Sequence, residues 1–147
     1  MNGLFMASSE EIPSTENVQA AASTQSAVVL VIEDEEPLRK LVSRALSAAG
    51  YRVVTARDGI EGLRVFEKEP NGFDLVLLDL TMPQMDGRDV FVRLKSMASS
   101  QKIVLMSGFG NSDRGVRSPD QQADDFLQKP FGMRDLIAVV NAQVAGS

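Results

Sequence analysis

Five residues could do chemistry together if the fold brought them to one place: Glu33, Asp34, Asp79, Ser107 and Lys129. Three carboxylates in close quarters repel one another, and some would stay protonated without a counter-charge. A divalent cation resolves that conflict. The chain has no histidine and no cysteine, so the available ligands are oxygen atoms. Oxygen-only ligands select a hard ion, and Mg²⁺ is the usual one where phosphate is handled. Lys129 adds a fixed positive charge and Ser107 a hydroxyl donor. Metal, ammonium and hydroxyl around the oxygens of a phosphoryl group, with Asp79 as a carboxylate nucleophile, would form an acyl phosphate. Catalysis there would be positioning and charge neutralisation.

For this to work, the chain must deliver all five residues to one edge. Ala27–Ile32 is a continuous apolar, β-branched run, as a strand buried on both faces would be, and it ends at Glu33-Asp34. Phe73–Leu78 is a second such run, apolar apart from Asp74, with Asp79 at its carboxyl end. Lys102–Met106 ends at Ser107, and the short Asp125–Gln128 segment ends at Lys129-Pro130. Tyr51–Thr55 completes a set of five strands. Between them lie helical patterns. Glu35-Glu36-Pro37 opens a helix with proline and acids at the positive end of its dipole, and Leu38, Leu41, Val42, Ala45, Leu46 and Ala49 line one face. Asp58 can cap the next helix, whose apolar side is Ile60, Leu63 and Phe66. A helix over about 88–97 and a last one from about Arg134 to Ala145 follow, the latter burying Leu136, Ile137, Val140 and Val144. Residues 108–123 carry Gly108, Gly110, Gly115 and Pro119, which argue against a long regular helix.

Strands alternating with helices indicate right-handed βαβ units and a parallel sheet covered on both faces. The expected fold is α/β: a flavodoxin-like doubly wound five-stranded sheet of order 2-1-3-4-5, with ligands outside the carboxyl ends of strands 1 and 3. Each chemical residue also has a plain reading. Glu33-Asp34 could be a helix start, Asp79 a turn residue, Ser107 loop chemistry and Lys129 a solvated charge. Their coincidence at one sheet edge is what favours a site.

Composition narrows the function. The 147 residues suffice for one compact domain. Net charge is −5 and the isoelectric point about 4.7, with no evident basic face, which argues against a nucleic-acid partner. The elements run to Val144, so no DNA-binding output domain is expected. No apolar run approaches a membrane span, and the N-terminus lacks a secretory pattern, so no membrane partner and a cytoplasmic location are expected. Residues 1–26 hold Glu10, Glu11 and Glu16 but no lysine or arginine, and read as a disordered tail or linker, with a short helix over 18–22 conceivable. Residues 27–147 form the folded domain.

The chain resembles the receiver domain of bacterial response regulators. The resemblance rests on Val29-Leu30-Val31-Ile32-Glu33-Asp34-Glu35, on Asp79-Leu80-Thr81-Met82-Pro83-Gln84-Met85-Asp86-Gly87, on Met106-Ser107-Gly108, and on Phe126-Leu127-Gln128-Lys129-Pro130-Phe131. As a set these motifs are highly specific. The resemblance implies that Asp79 is the phosphoacceptor and that Glu33 and Asp34 hold Mg²⁺ together with Asp79 and the Thr81 carbonyl. It implies that Ser107 and Lys129 contact the phosphoryl group and that Phe126 is an aromatic switch residue. The partners implied are a histidine kinase or phosphotransfer protein, and a downstream effector. Without histidine, the chain cannot carry phosphohistidine itself, so the donor lies on another chain or domain. The wording resembles receivers fused to hybrid histidine kinases or single-domain regulators. Two features depart from the pattern: Glu33 stands where aspartate is commoner, and the fourth helix is weakly supported.

Two other classes share part of this pattern. A haloacid-dehalogenase-type phosphohydrolase also has an aspartate nucleophile, but needs a second acid two residues later, where this chain has Thr81. A degenerate receiver that binds without phosphorylation would usually lack the acceptor or the lysine, and both Asp79 and Lys129 are present.

Overall fold

The computed structural model describes residues 27–83, 85–108 and 123–146. The tail, its conceivable short helix and nearly all of the 108–123 segment lie outside these residues. The described elements run β1 (Val28–Ile32), α1 (Glu36–Ala48), β2 (Arg52–Ala56), α2 (Gly59–Glu67), β3 (Leu75–Asp79), α3 (Gly87–Met97), β4 (Ile103–Ser107), β5 (Asp125–Gln128) and α4 (Met133–Ala145). The five strands form one parallel sheet of order β2-β1-β3-β4-β5, the expected 2-1-3-4-5.

Alternation along each strand divides the core into two layers. Leu30, Ile32, Val76, Leu78, Ile103 and Leu105 join Phe66 of α2 with Phe91 and Leu94 of α3. Val29, Val31, Leu75, Leu77, Val104 and Met106 join Val42 and Leu46 of α1 with Leu136 and Val140 of α4. Each such side chain, fully buried, contributes about 1.5–3 kcal/mol over an exposed one. At the far edge of the sheet, buried Gln101 accepts from the Phe73 N–H (3.0 Å) and donates to the Phe73 carbonyl (2.8 Å), so it carries no unsatisfied polar atom there.

The helical faces differ in detail from the sequence pattern. Leu41 and Ala49 of α1 are exposed, and the buried stripe is Val42 and Leu46, flanked by half-buried Leu38 and Ala45. On α2, Asp58 caps the helix as expected, accepting from the Glu61 N–H at 2.8 Å, but Ile60 is 47% exposed. The buried residues of α2 are Gly59, Gly62 and Phe66 instead: Gly62 lies against Ile32 of β1, and Gly59 against Val90 of α3. A Cβ on Gly62 would stand 2.5 Å from Ile32 Cδ1, so α2 approaches β1 more closely than an apolar side chain would permit.

Gly87 makes a second close approach. Asp86 caps α3 by accepting from the Arg88 N–H at 2.9 Å, and a Cβ on Gly87 would lie 2.5 Å from Leu80 Cα and 2.6 Å from the Asp79 carbonyl oxygen. Those neighbours are backbone and cannot swing aside. Gly87→Ala gains about 1 kcal/mol of helix propensity but is expected to lose more by forcing α3 off β3, a net destabilisation of about 1–3 kcal/mol. Thermal denaturation checks this: a melting temperature equal to or above wild type would show that the loop yields.

Candidate functional site

β1 and β3 are neighbours at the point where the chain turns to opposite sides of the sheet, and a crevice opens there beyond the strand ends. Asp79 is the last residue of β3 and is fully buried. Glu33, directly after β1, is fully buried too, and Asp34 beside it is half-buried. One carboxylate oxygen from each of the three lies within 4.8 Å of the others. Ser107, the buried last residue of β4, lies one position past Met106, which pairs with Asp79. Its carbonyl accepts from the Lys129 N–H at 2.7 Å, which ties the end of β4 to the residue after β5.

Lys129 reaches back over the acids. Its Nζ stands 3.0 Å from Glu33 Oε1, 3.2 Å from Asp79 Oδ2 and 3.8 Å from the exposed Glu35 carboxylate. Glu33 Oε1 and Asp79 Oδ2 are thus buried carboxylate oxygens that face one shared ammonium. Their remaining oxygens are held: Glu33 Oε2 accepts from the Glu35 N–H (3.1 Å), and Asp79 Oδ1 accepts from both the N–H and the hydroxyl of Thr81 (3.0 Å each).

One ammonium cannot neutralise three acids, and the proton affinities of Glu33 and Asp34 reflect it. Burial, with the charge of Asp79 added, pushes Glu33 up to about 7. Burial and the nearby Asp79 carboxylate raise Asp34 as well. Burial pulls Lys129 down, but the charges of Asp79 and Glu33 outweigh it and hold the ammonium above its ordinary value. Two buried carboxylates sharing one ammonium, a half-buried third acid converging on them and no nitrogen or sulfur ligand form a donor set that fits a hard divalent cation.

The structure thus brings Glu33, Asp34, Asp79, Ser107 and Lys129 to one sheet edge. Thr81 also stands there, through its N–H and hydroxyl on Asp79, a contact that the sequence reading did not anticipate. Phe126 stands apart from the carboxylates: on β5 it pairs with Leu105, and its ring is 38% exposed. Sequence reasoning also missed Arg39, whose Nη1 donates to the carbonyls of Glu33 (3.0 Å) and Asp34 (3.5 Å). Its signal was a long donor one helical turn into the helix that follows the acidic pair.

Comparison with known proteins agrees with this architecture. The family model described as response regulator receiver domain matches residues 29–141. The transcriptional regulatory protein KdpE of Mycobacterium tuberculosis is 38% identical over 117 residues, covering 80% of this chain and 50% of that protein. The chain therefore spans about half the length of such curated relatives, and the name of this one, a transcriptional regulatory protein, does not support the expected absence of a nucleic-acid partner. Among solved structures, a response regulator receiver domain protein from Clostridium thermocellum superposes with a TM-score of 0.74 at 29% identity, covering 81% of this chain and 94% of that one. The response regulator protein TrrA of Thermotoga maritima, in complex with Mg(2+)-BeF, superposes with a TM-score of 0.72 at 28% identity, over 80% of this chain and 98% of that one. Among the described residues no helix is long and apolar enough to cross a membrane. The chain thus belongs to the response regulator receiver domain family, a signalling module of two-component systems.

Proposed function

We propose that Asp79 accepts a phosphoryl group from a phosphohistidine on a histidine kinase or phosphotransfer protein, at a site that also binds Mg²⁺. The observation that carries this is Asp79 Oδ2: a buried carboxylate oxygen facing the Lys129 ammonium at 3.2 Å. Thr81 holds the other oxygen from two sides, which leaves Oδ2 as the attacking atom. Attack of Oδ2 on phosphorus forms the acyl phosphate, and the P–N bond breaks with its electron pair returning to the imidazole. Lys129 then neutralises charge on the transferred oxygens, and Ser107 donates a hydrogen bond to them. Glu33, Asp34 and Asp79, with the Thr81 carbonyl, would hold the ion. When bound, Mg²⁺ supplies positive charge against both the carboxylates and the phosphoryl oxygens. The Mg(2+)-BeF carried by TrrA supports this assignment.

The half-exposed ring of Phe126 supports a switch in which Ser107 moves toward the phosphoryl group and Phe126 turns inward, passing the signal to a downstream effector. Hydrolysis of the acyl phosphate by the same residues resets it. The setting is cytoplasmic. A cleft of about 460 Å³ beside Lys129, lined by Glu35, Leu38, Gly108, Pro130 and Phe131, gives the donor imidazole a way in.

Incubation with Mg²⁺ and acetyl phosphate tests the reading. Intact-mass analysis is expected to show one added phosphoryl group, lost when the ion is chelated. No increment under any Mg²⁺ concentration would overturn it.

A further inference from the structure

The β1–α1 turn carries two of the three carboxylates of the site, yet little of it belongs to either element. The Glu33 N–H donates to the Ala56 carbonyl of β2 at 3.1 Å, which fixes where the turn begins. Glu35, the residue before α1, makes no capping hydrogen bond with its side chain. The helix itself reaches back: the Arg39 N–H donates to the Glu35 carbonyl at 2.8 Å, and the half-buried Arg39 guanidinium donates to the carbonyls of Glu33 and Asp34. One side chain thus spans the two consecutive peptide groups that set the directions of both carboxylates. Arg39 shares with Asp34 the wall of a cleft of about 520 Å³ that also takes in Glu36, Arg57, Asp58 and Pro83.

We propose that Arg39 is a positioning residue of the cation site: it clamps the Glu33–Asp34 backbone so that both carboxylates converge on Asp79. This inference rests on the Mg²⁺ reading above. Two physical effects of Arg39 oppose each other, and that makes the proposal testable by sign. As a nearby positive charge, Arg39 disfavours a second cation, so removing it by charge alone would tighten Mg²⁺ binding. As a clamp, it preorganises the ligands, and losing outer partners of metal ligands weakens binding. The clamp has the greater effect here, because the guanidinium is fixed on two carbonyls at the ligands' own peptide groups, while its charge faces solvent through the cleft.

The test is Mg²⁺ titration by calorimetry on wild type, Arg39→Met and Arg39→Lys, with melting temperatures in EDTA. Met keeps the aliphatic stem and loses every donor. Lys keeps the charge, but its shorter stem stops the ammonium short of the place from which Arg39 Nη1 donates to both carbonyls. Arg39→Met is expected to weaken Mg²⁺ binding about tenfold, and Arg39→Lys to lie between it and wild type. In the metal-free Arg39→Met protein, the amide NMR signals of residues 33–35 are expected to shift while those of the sheet interior stay in place. Unchanged or tighter binding in Arg39→Met would overturn the clamp. Should Arg39→Met fail to fold, Arg39→Lys decides alone: weaker binding supports the clamp, and wild-type affinity overturns it. Absence of Mg²⁺ binding in wild type would instead overturn the metal reading itself, so the two failures are distinct.

Discussion

Asp79→Asn is expected to abolish the phosphoryl increment with Mg²⁺ and acetyl phosphate, and to raise the melting temperature of the metal-free protein. The first effect is chemical. A carboxamide has nearly the shape of a carboxylate, and its oxygen can still accept from Thr81, but it is not the nucleophile that forms an acyl phosphate. The second effect is electrostatic and has the opposite sign from most core substitutions. Asp79 is fully buried, and its charge is a cause of the raised proton affinity of both Glu33 and Asp34. Lys129 keeps its Glu33 partner at 3.0 Å when the Asp79 charge is gone. Relief of one buried like-charge contact is worth on the order of 1 kcal/mol, a rise of a few degrees in a domain of this size. Intact mass and scanning fluorimetry in EDTA check the two effects separately. Labelling equal to wild type would remove Asp79 from its role. A lower melting temperature would mean that its contact with Lys129 outweighs the repulsion.

The sheet and the site were legible in the sequence for one shared reason. A strand buried on both faces admits almost no polar side chain, so its polar end is conspicuous. Val28–Ile32 before Glu33-Asp34, and Leu75–Leu78 before Asp79, read as boundaries because burial forbids acids any earlier. Helical faces were read less well. A pattern of apolar residues takes Ile60 and Leu41 for core, but α2 meets β1 through Gly62 and α3 through Gly59, whose missing side chains leave no hydrophobic signal. Gly87 is similar: what matters is the space a Cβ would fill between α3 and Leu80. Within the site, residue types announced the carboxylates, Ser107 and Lys129. Arg39 and the Thr81 hydroxyl were not announced, because a guanidinium on two carbonyls and a hydroxyl on a carboxylate depend on three-dimensional placement rather than on spacing.

In the absence of divalent ions, the protein is expected to be more stable at about pH 5 than at about pH 7.5, by about 2 kcal/mol from Glu33 alone. Glu33 is pushed up to about 7 in the folded protein from an ordinary 4.5. Between those values the unfolded chain has released its proton while the folded chain keeps it. The folded state therefore binds more protons, and stability falls as pH rises across that window. Asp34, also raised, acts in the same direction above its own ordinary value. Lys129 does not offset this. Its raised affinity stabilises the fold throughout that range and is lost only as pH rises through its own folded value, above 10.5. Glu33→Gln removes the titrating group, so the difference between the two melting curves isolates its share from every other carboxylate. Mg²⁺ takes the ionised carboxylates, so it is expected to raise the wild-type melting temperature more at the higher pH, where no proton has to leave Glu33 first. The measurement is thermal unfolding of both proteins at the two pH values, with EDTA and with saturating Mg²⁺. A wild-type slope no steeper than that of Glu33→Gln would show that Glu33 is ionised across the range. Lys129 would then suffice as its counter-charge, and the site would have less need of a metal than its three acids suggest.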